Sequence, residues 1–156
     1  MAYAKDVKVY YPIFLDLTGK SVLVAGGGKV ALRKTKGLLE AGARVTVVAP
    51  KSLPKFTTLP VRVLTRRFRP SDLDGHALAF AATNVRAVNR RVAVEANRRG
   101  IPVNVADALA ECAFLVPARV RHGDLQVAIS TSGRSPRLAA GLRAELEELL
   151  RRAMIE

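Results

Sequence analysis

The chain has 156 residues and a mass of 16.8 kDa, enough for one domain or one domain with a small appendage. Hydrophobic residues make up 49% and charged residues 25%, which excludes a disordered chain and supplies material for a buried core. Lys and Arg number 26 against 13 Asp and Glu, a formal charge of +13, so the expected partner is a polyanion: nucleic acid, an anionic surface, or a small molecule rich in carboxylates or phosphates.

Residues 1–110 hold 19 basic and 7 acidic side chains, so the excess charge sits on the N-terminal part. Aromatic residues are 5% with no Trp, few platforms for stacking single-stranded bases. No apolar run is long enough to span a membrane. The opening MAYAKDVKVYYPIFLDL has no apolar stretch followed by a cleavage signal, so a cytoplasmic protein is expected. Cys112 is the sole cysteine, which excludes an internal disulfide framework and a cysteine-based zinc cluster. His76 reads as a strand lead-in and His122 as a turn residue, and no metal site is expected.

In chain order, 21–25 is a short apolar run with the look of a buried parallel strand. A helix is predicted over 28–41, stopped by Gly42. Residues 45–49 and 61–64 read as the second and third strands, followed by Arg66, Arg67 and Arg69 in a basic, solvated connection. A fourth strand covers 77–82. The next segment spaces Val85, Val88, Val92 and Ala96 as one helix face, with Arg86, Arg90, Arg91, Arg98 and Arg99 on the other. Gly100 ends that helix and 101–105 is a fifth strand. The alternation predicts an α/β fold, a parallel sheet with helices on both faces.

Beyond Asp107 the rhythm changes. Residues 114–121 and 125–131 flank His122-Gly123-Asp124, a hairpin signal. Ser135 suits an N-cap with Pro136 at the first helical position, and Leu138, Leu142, Leu146, Leu149 and Ala153 line one face of the helix that follows. A hairpin and one helix form little core alone, so this region is expected to pack on a second copy of the chain.

The strongest local signal is Gly26-Gly27-Gly28-Lys29-Val30-Ala31, a G-x-G-x-x-A between a predicted strand and a predicted helix. Gly26 permits the tight turn, Gly28 lets backbone approach a pyrophosphate, and Ala31 allows close packing of helix on strand. These are the marks of a Rossmann-type dinucleotide site. The acid that usually ends the second strand is missing; Ala49-Pro50-Lys51 stands there. Either Lys51 and Lys55 favour a 2′-phosphate, and so NADP, or backbone at Pro50 and Lys51 meets the ribose. Thr83 and Asn84 follow the fourth strand at the ligand-binding edge, as cofactor contacts, as an N-cap, or as both. Asp107, with Asn104 three residues earlier, is the candidate general acid/base there, and its plainer reading is a loop or capping aspartate.

The runs YYPIFLDLTGKSVLVAGGGKVALRK, AGARVTVVAP, FAATN, VNVADA and AISTSGRSPRLA resemble, in order and over residues 10–150, the precorrin-2 dehydrogenase family, the module that opens siroheme synthase. The resemblance implies NAD-dependent oxidation of precorrin-2 to sirohydrochlorin on the way to siroheme or cobalamin, with iron insertion as well in some members. It implies cofactor contacts at Gly26, Gly28, Lys29, Val30, Ala31, Pro50, Lys51, Thr83 and Asn84. It also implies catalysis, and chelation in bifunctional members, at Asp107, and a tetrapyrrole pocket near Asn104, Thr131, Ser132, Gly133 and Ser135, with Pro136 in the same segment. Thr131 stands where relatives often have Ser, and many stand-alone members carry a further helical segment beyond the position of Glu156.

The expected organisation is an NAD-binding Rossmann domain over 1–110 and a homodimerisation and substrate-pocket region, hairpin plus helix, over 111–156. A polycarboxylate tetrapyrrole would account for the charge. The rival of another class, a dinucleotide-sensing nucleic-acid regulator, would need a groove-reading element such as a helix-turn-helix, and none is legible. The expected partners are therefore the tetrapyrrole and a second subunit, with neither nucleic acid nor membrane.

Overall fold

A computed structural model of the chain describes residues 8–153; the first seven positions of the opening segment and the last three residues lie outside the described residues. The described residues form two compact units, one over Ile13–Phe114 and the other over 115–153 together with 8–12. The first holds a five-stranded parallel sheet of β1 (Ser21–Ala25), β2 (Arg44–Val48), β3 (Arg62–Leu64), β4 (Leu78–Ala81) and β5 (Val103–Val105), in the order β3-β2-β1-β4-β5. Two helices serve it, α1 (Lys29–Glu40) after β1 and α2 (Arg86–Arg98) after β4. The first crossover steps from β1 to β2 and the second steps the opposite way from β4 to β5. Right-handed connections therefore put α1 and α2 on opposite faces, which makes this the Rossmann-type sheet expected.

Strand alternation sorts the core. Val22 and Val24, Val45 and Val47, and Leu78 and Phe80 share the face that packs on Ala31 and Leu38 of α1, while Leu23, Ala79 and Ala81 belong to the opposite face. Val22, Leu23, Val24 and Val47 are fully buried, each contributing about 1.5–3 kcal/mol of apolar transfer. The connections around β3 are single 3₁₀ turns over Pro54–Thr58 and Pro70–Leu73, which drop Phe56 and Leu73 into the core. Schellman hydrogen bonds close both helices: Ala43 N–H reaches Leu38 O across Gly42, and Ile101 N–H reaches Ala96 O across Gly100.

Two expectations are corrected. The α2 stripe holds at Val92 and Ala96, and its arginines are exposed, but Val85 is exposed at the cap position and Asn89 and Ala93 join the buried face. The basic connection after β3 is not merely solvated: Arg66 forms a two-pronged bond to Asp72 at 2.9 and 2.6 Å, and Asp72 also accepts the Arg69 N–H at 2.8 Å. Residues 111–114 pack within the first unit, where the Phe114 ring meets Phe80 edge-on at 5.4 Å.

In the second unit β6 (Ala118–His122) and β7 (Leu125–Ile129) pair antiparallel, with His122 opposite Leu125. The loop is thus two residues, and Gly123 at φ 56° matches a type II′ turn. α3 (Pro136–Ala153) packs on the hairpin and buries only Ala139; Val120 is the buried strand residue. Among the described residues no helix is long and apolar enough to cross a membrane.

Candidate functional site

The carboxyl edge of the sheet gathers most of the expected residues of the first unit. β1 sits between β2 and β4, where the two crossovers diverge, and this leaves a crevice at its end. The glycine turn fills the mouth of that crevice. Gly26 is buried at φ 134°, and a Cβ there would stand 2.3 Å from Ala82 O at the end of β4. A Cβ on Gly27 would stand 2.3 Å from Lys51 O, and the Gly27 carbonyl accepts the Leu53 N–H at 2.9 Å. Gly28, in contrast, is exposed, and a Cβ there would meet nothing within 4 Å.

That contrast tests the fit of a dinucleotide. The first two glycines are required by the protein's own backbone, whereas nothing in the protein crowds the third, which opens α1. No side chain caps α1, so the N–H groups of its first turn face outward with the positive end of the helix dipole. Lys29 and Val30 are exposed beside them, and Ala31 is fully buried against the sheet, where a larger side chain would push the helix away. Pro50 and Lys51 lie exposed after β2, with no carboxylate at that strand end. The residues present fit a bound dinucleotide pyrophosphate.

Across the crevice the chain after β4 is held by Asn89. Its Oδ1 accepts both the Thr83 N–H at 3.0 Å and the Thr83 hydroxyl at 2.8 Å, and its Nδ2 donates to Thr83 O at 3.0 Å. Thr83 Oγ1 in turn accepts the Val85 N–H, closing a small turn, and Asn84 is left exposed at its tip. Thr83 therefore does not cap α2 directly; the cap position is Val85.

Beyond β5, Asp107 lies at the same edge, its side chain 38% exposed, with Arg86 Nη1 at 3.5 Å from its Oδ1. The other prong of Arg86 bonds Glu111 Oε1. Asn104 is 5% exposed, and its amide is engaged within the unit: Oδ1 accepts Lys34 Nζ at 2.7 Å and Nδ2 donates to Phe114 O at 3.0 Å. Cys112 Sγ accepts the Val105 N–H at 3.2 Å beside it. Lys34 also lies over the Phe80 ring, 5.2 Å from its centre. Burial lowers the Lys34 pKa below the usual lysine value, and the charge of Arg33 adds to the effect. Asn104 thus links α1 to the β5 loop.

The remaining expected residues belong to the second unit. Ser132 stands at φ 54°, a rare backbone region for a residue with a side chain, followed by Gly133 at φ 77°. Thr131 Oγ1 accepts the Ser135 N–H at 3.0 Å, and Ser135 Oγ accepts the Leu138 N–H at 3.3 Å as the N-cap of α3. Among the described residues no three His, Cys, Asp or Glu gather as a metal-holding group.

Asn89, Lys34 and Glu111 are site-forming residues absent from the sequence expectations; Gly27 entered them only as part of the glycine run, and Arg86 only as one arginine of a basic helix face. Of the three absent residues only Asn89, a polar residue one position off an apolar stripe, carried a legible signal.

Sheet order, glycine turn and open helix N-terminus define a dinucleotide-binding protein of the Rossmann class. A family model described as "Putative NAD(P)-binding" matches residues 13–118, and one described as "Sirohaem biosynthesis protein central" matches 122–149. The siroheme synthase of Nitrosomonas eutropha is 43% identical over 146 residues, covering 90% of this chain and 31% of its own length. That of Ectopseudomonas mendocina is 45% identical over 140 residues, covering 88% and 30%. The chain spans less than a third of the length of these curated relatives. A solved structure titled "SirC, precorrin-2 dehydrogenase" superimposes with a TM-score of 0.79 at 36% identity, covering 89% of this chain and 70% of that one. The chain belongs to the precorrin-2 dehydrogenase family, whose module siroheme synthases share.

Proposed function

We propose that the chain is an NAD-dependent dehydrogenase that oxidises precorrin-2 to sirohydrochlorin in siroheme biosynthesis. The observation that carries this reading is the crevice at the end of β1, where the uncrowded Gly28 and the uncapped α1 face a site that has Asp107 on the same sheet edge. Bound NAD supplies a hydride acceptor. First-turn N–H groups of α1 hold its pyrophosphate, with Gly26, Gly28, Lys29, Val30 and Ala31 shaping the loop. Pro50 and Lys51 border the ribose, and Thr83 and Asn84 the other side of the crevice. The substrate loses a hydride and a proton. Asp107 orients the macrocycle or takes the proton, and exposed Lys and Arg side chains pair with its carboxylates.

Thr131, Ser132, Gly133 and Ser135 contribute to the tetrapyrrole pocket in this reading, and Asn104 acts by holding the β5 loop. The protein works as a cytoplasmic homodimer joined through its second unit. α3 supports this, since Leu138, Leu142 and Leu149 are 55%, 39% and 59% exposed along it. The test is an anaerobic assay with precorrin-2 generated in place and NAD or NADP added separately. Growth of the sirohydrochlorin spectrum with NAD is the expected result; no turnover with either cofactor, despite measured NAD binding, overturns the assigned reaction.

A further inference from the structure

We propose that Arg86 is the positioning residue for Asp107, with Glu111 as its second anchor; this rests on the reading of Asp107 as the group that meets substrate. Arg86 is the first residue of α2, where a cation opposes the helix dipole, and the first turn of α2 has no acidic residue to offset it. Helix stability therefore does not explain an arginine there. Its guanidinium instead reaches the loop after β5 and bridges two carboxylates, Asp107 at 3.5 Å and Glu111. Glu111 Oε2 is buried and has no hydrogen-bond partner, so Glu111 is held by its bond to Arg86 rather than by the loop around it.

The pairs are partly exposed, Arg86 at 45% and Asp107 at 38%, so they add little to folding. What they supply is placement. The Arg86 hydrogen bond to Glu111 fixes the guanidinium over the loop after β5, and its charge then stands 3.5 Å from Asp107 Oδ1. The base of α2 is itself fixed by the Asn89 clamp on Thr83, so Arg86 is carried on the element that borders the cofactor crevice. One side chain thereby sets the carboxylate of the β5 edge relative to the β4 edge.

The experiment is a double-mutant cycle on the full chain, reading kcat, KM, NAD affinity and melting temperature. Arg86→Gln should lower kcat by about tenfold while leaving NAD affinity and melting temperature unchanged, because misdirection of a reacting group acts on the chemical step. Arg86→Lys, which keeps the charge and loses the fork, should recover part of that loss. In an Asp107→Asn background, Arg86→Gln should cost nothing further. Independent, multiplying losses would overturn the inference and mark Arg86 as a direct substrate contact. Normal kcat in Arg86→Gln beside a collapsed Asp107→Asn would overturn it while the Asp107 reading stands. Full turnover in Asp107→Asn would overturn both.

Discussion

The Asp72 side chain is only 5% exposed, and its carboxylate meets both the Arg66 guanidinium and a backbone N–H. Burial alone would raise its pKa, but the Arg66 fork and the Arg69 N–H outweigh that and hold it below the usual aspartate value. A carboxyl with a depressed folded pKa adds stability that is complete above its unfolded pKa and is lost as pH falls through the folded one. Asp72→Asn should therefore cost about 1–3 kcal/mol at neutral pH, and the gap should shrink below about pH 4. Urea unfolding of both proteins across that range is the check. The glycine turn permits a sharper separation at the same scale. Gly27→Ala drives a methyl into Lys51 O and should lower the melting temperature by several degrees. Gly28→Ala meets nothing in the protein and should fold normally, yet bind NAD at least about tenfold more weakly. Calorimetric titration beside thermal melts distinguishes a glycine kept for the fold from one kept for the ligand.

At the scale of elements, α2 depends on a single amide. Asn89→Ala frees both the N–H and the carbonyl of Thr83 from their partner and should cost about 1–3 kcal/mol. NAD affinity should fall with it as the turn after β4 loosens, read by fluorescence titration of NADH. The same helix marks where sequence reading reached its limit. All five parallel strands and all three helices were legible, because apolar runs, glycine stops and the Ser135–Pro136 start are local signals. The stripe of α2 was legible at Val92 and Ala96, but the inward turn of Asn89 was not, since it is explained only by Thr83, six positions upstream, folding back onto it. The places of the glycine loop at the end of β1 and of Asp107 just past β5 were legible from motif and edge position. The Arg86–Asp107–Glu111 cluster was not, since its members come from two elements and meet only after β4 and β5 pair.

At the scale of the whole molecule, the two units differ in how much core they own. The first buries both faces of its sheet, while α3 buries only Ala139. A helix of 18 residues with three exposed leucines is a surface that a second copy can cover. If α3 forms the subunit contact, Leu142→Glu should halve the mass measured by light scattering. The first unit, with its own core, should keep its NAD affinity in that monomer.

The lone thiol offers a way to watch this architecture move. Cys112 is 4% exposed and pinned under the β5 corner by Val105 and Asn104, the same asparagine that anchors Lys34. An aromatic disulfide reagent can reach it only when that corner opens, so its reaction rate times local opening as amide exchange does, at one chemical address. Every modified molecule then reports one event, since no other cysteine competes for the label. Added NAD should slow the labelling to the extent that cofactor binding at α1 is felt through Lys34 and Asn104 at β5.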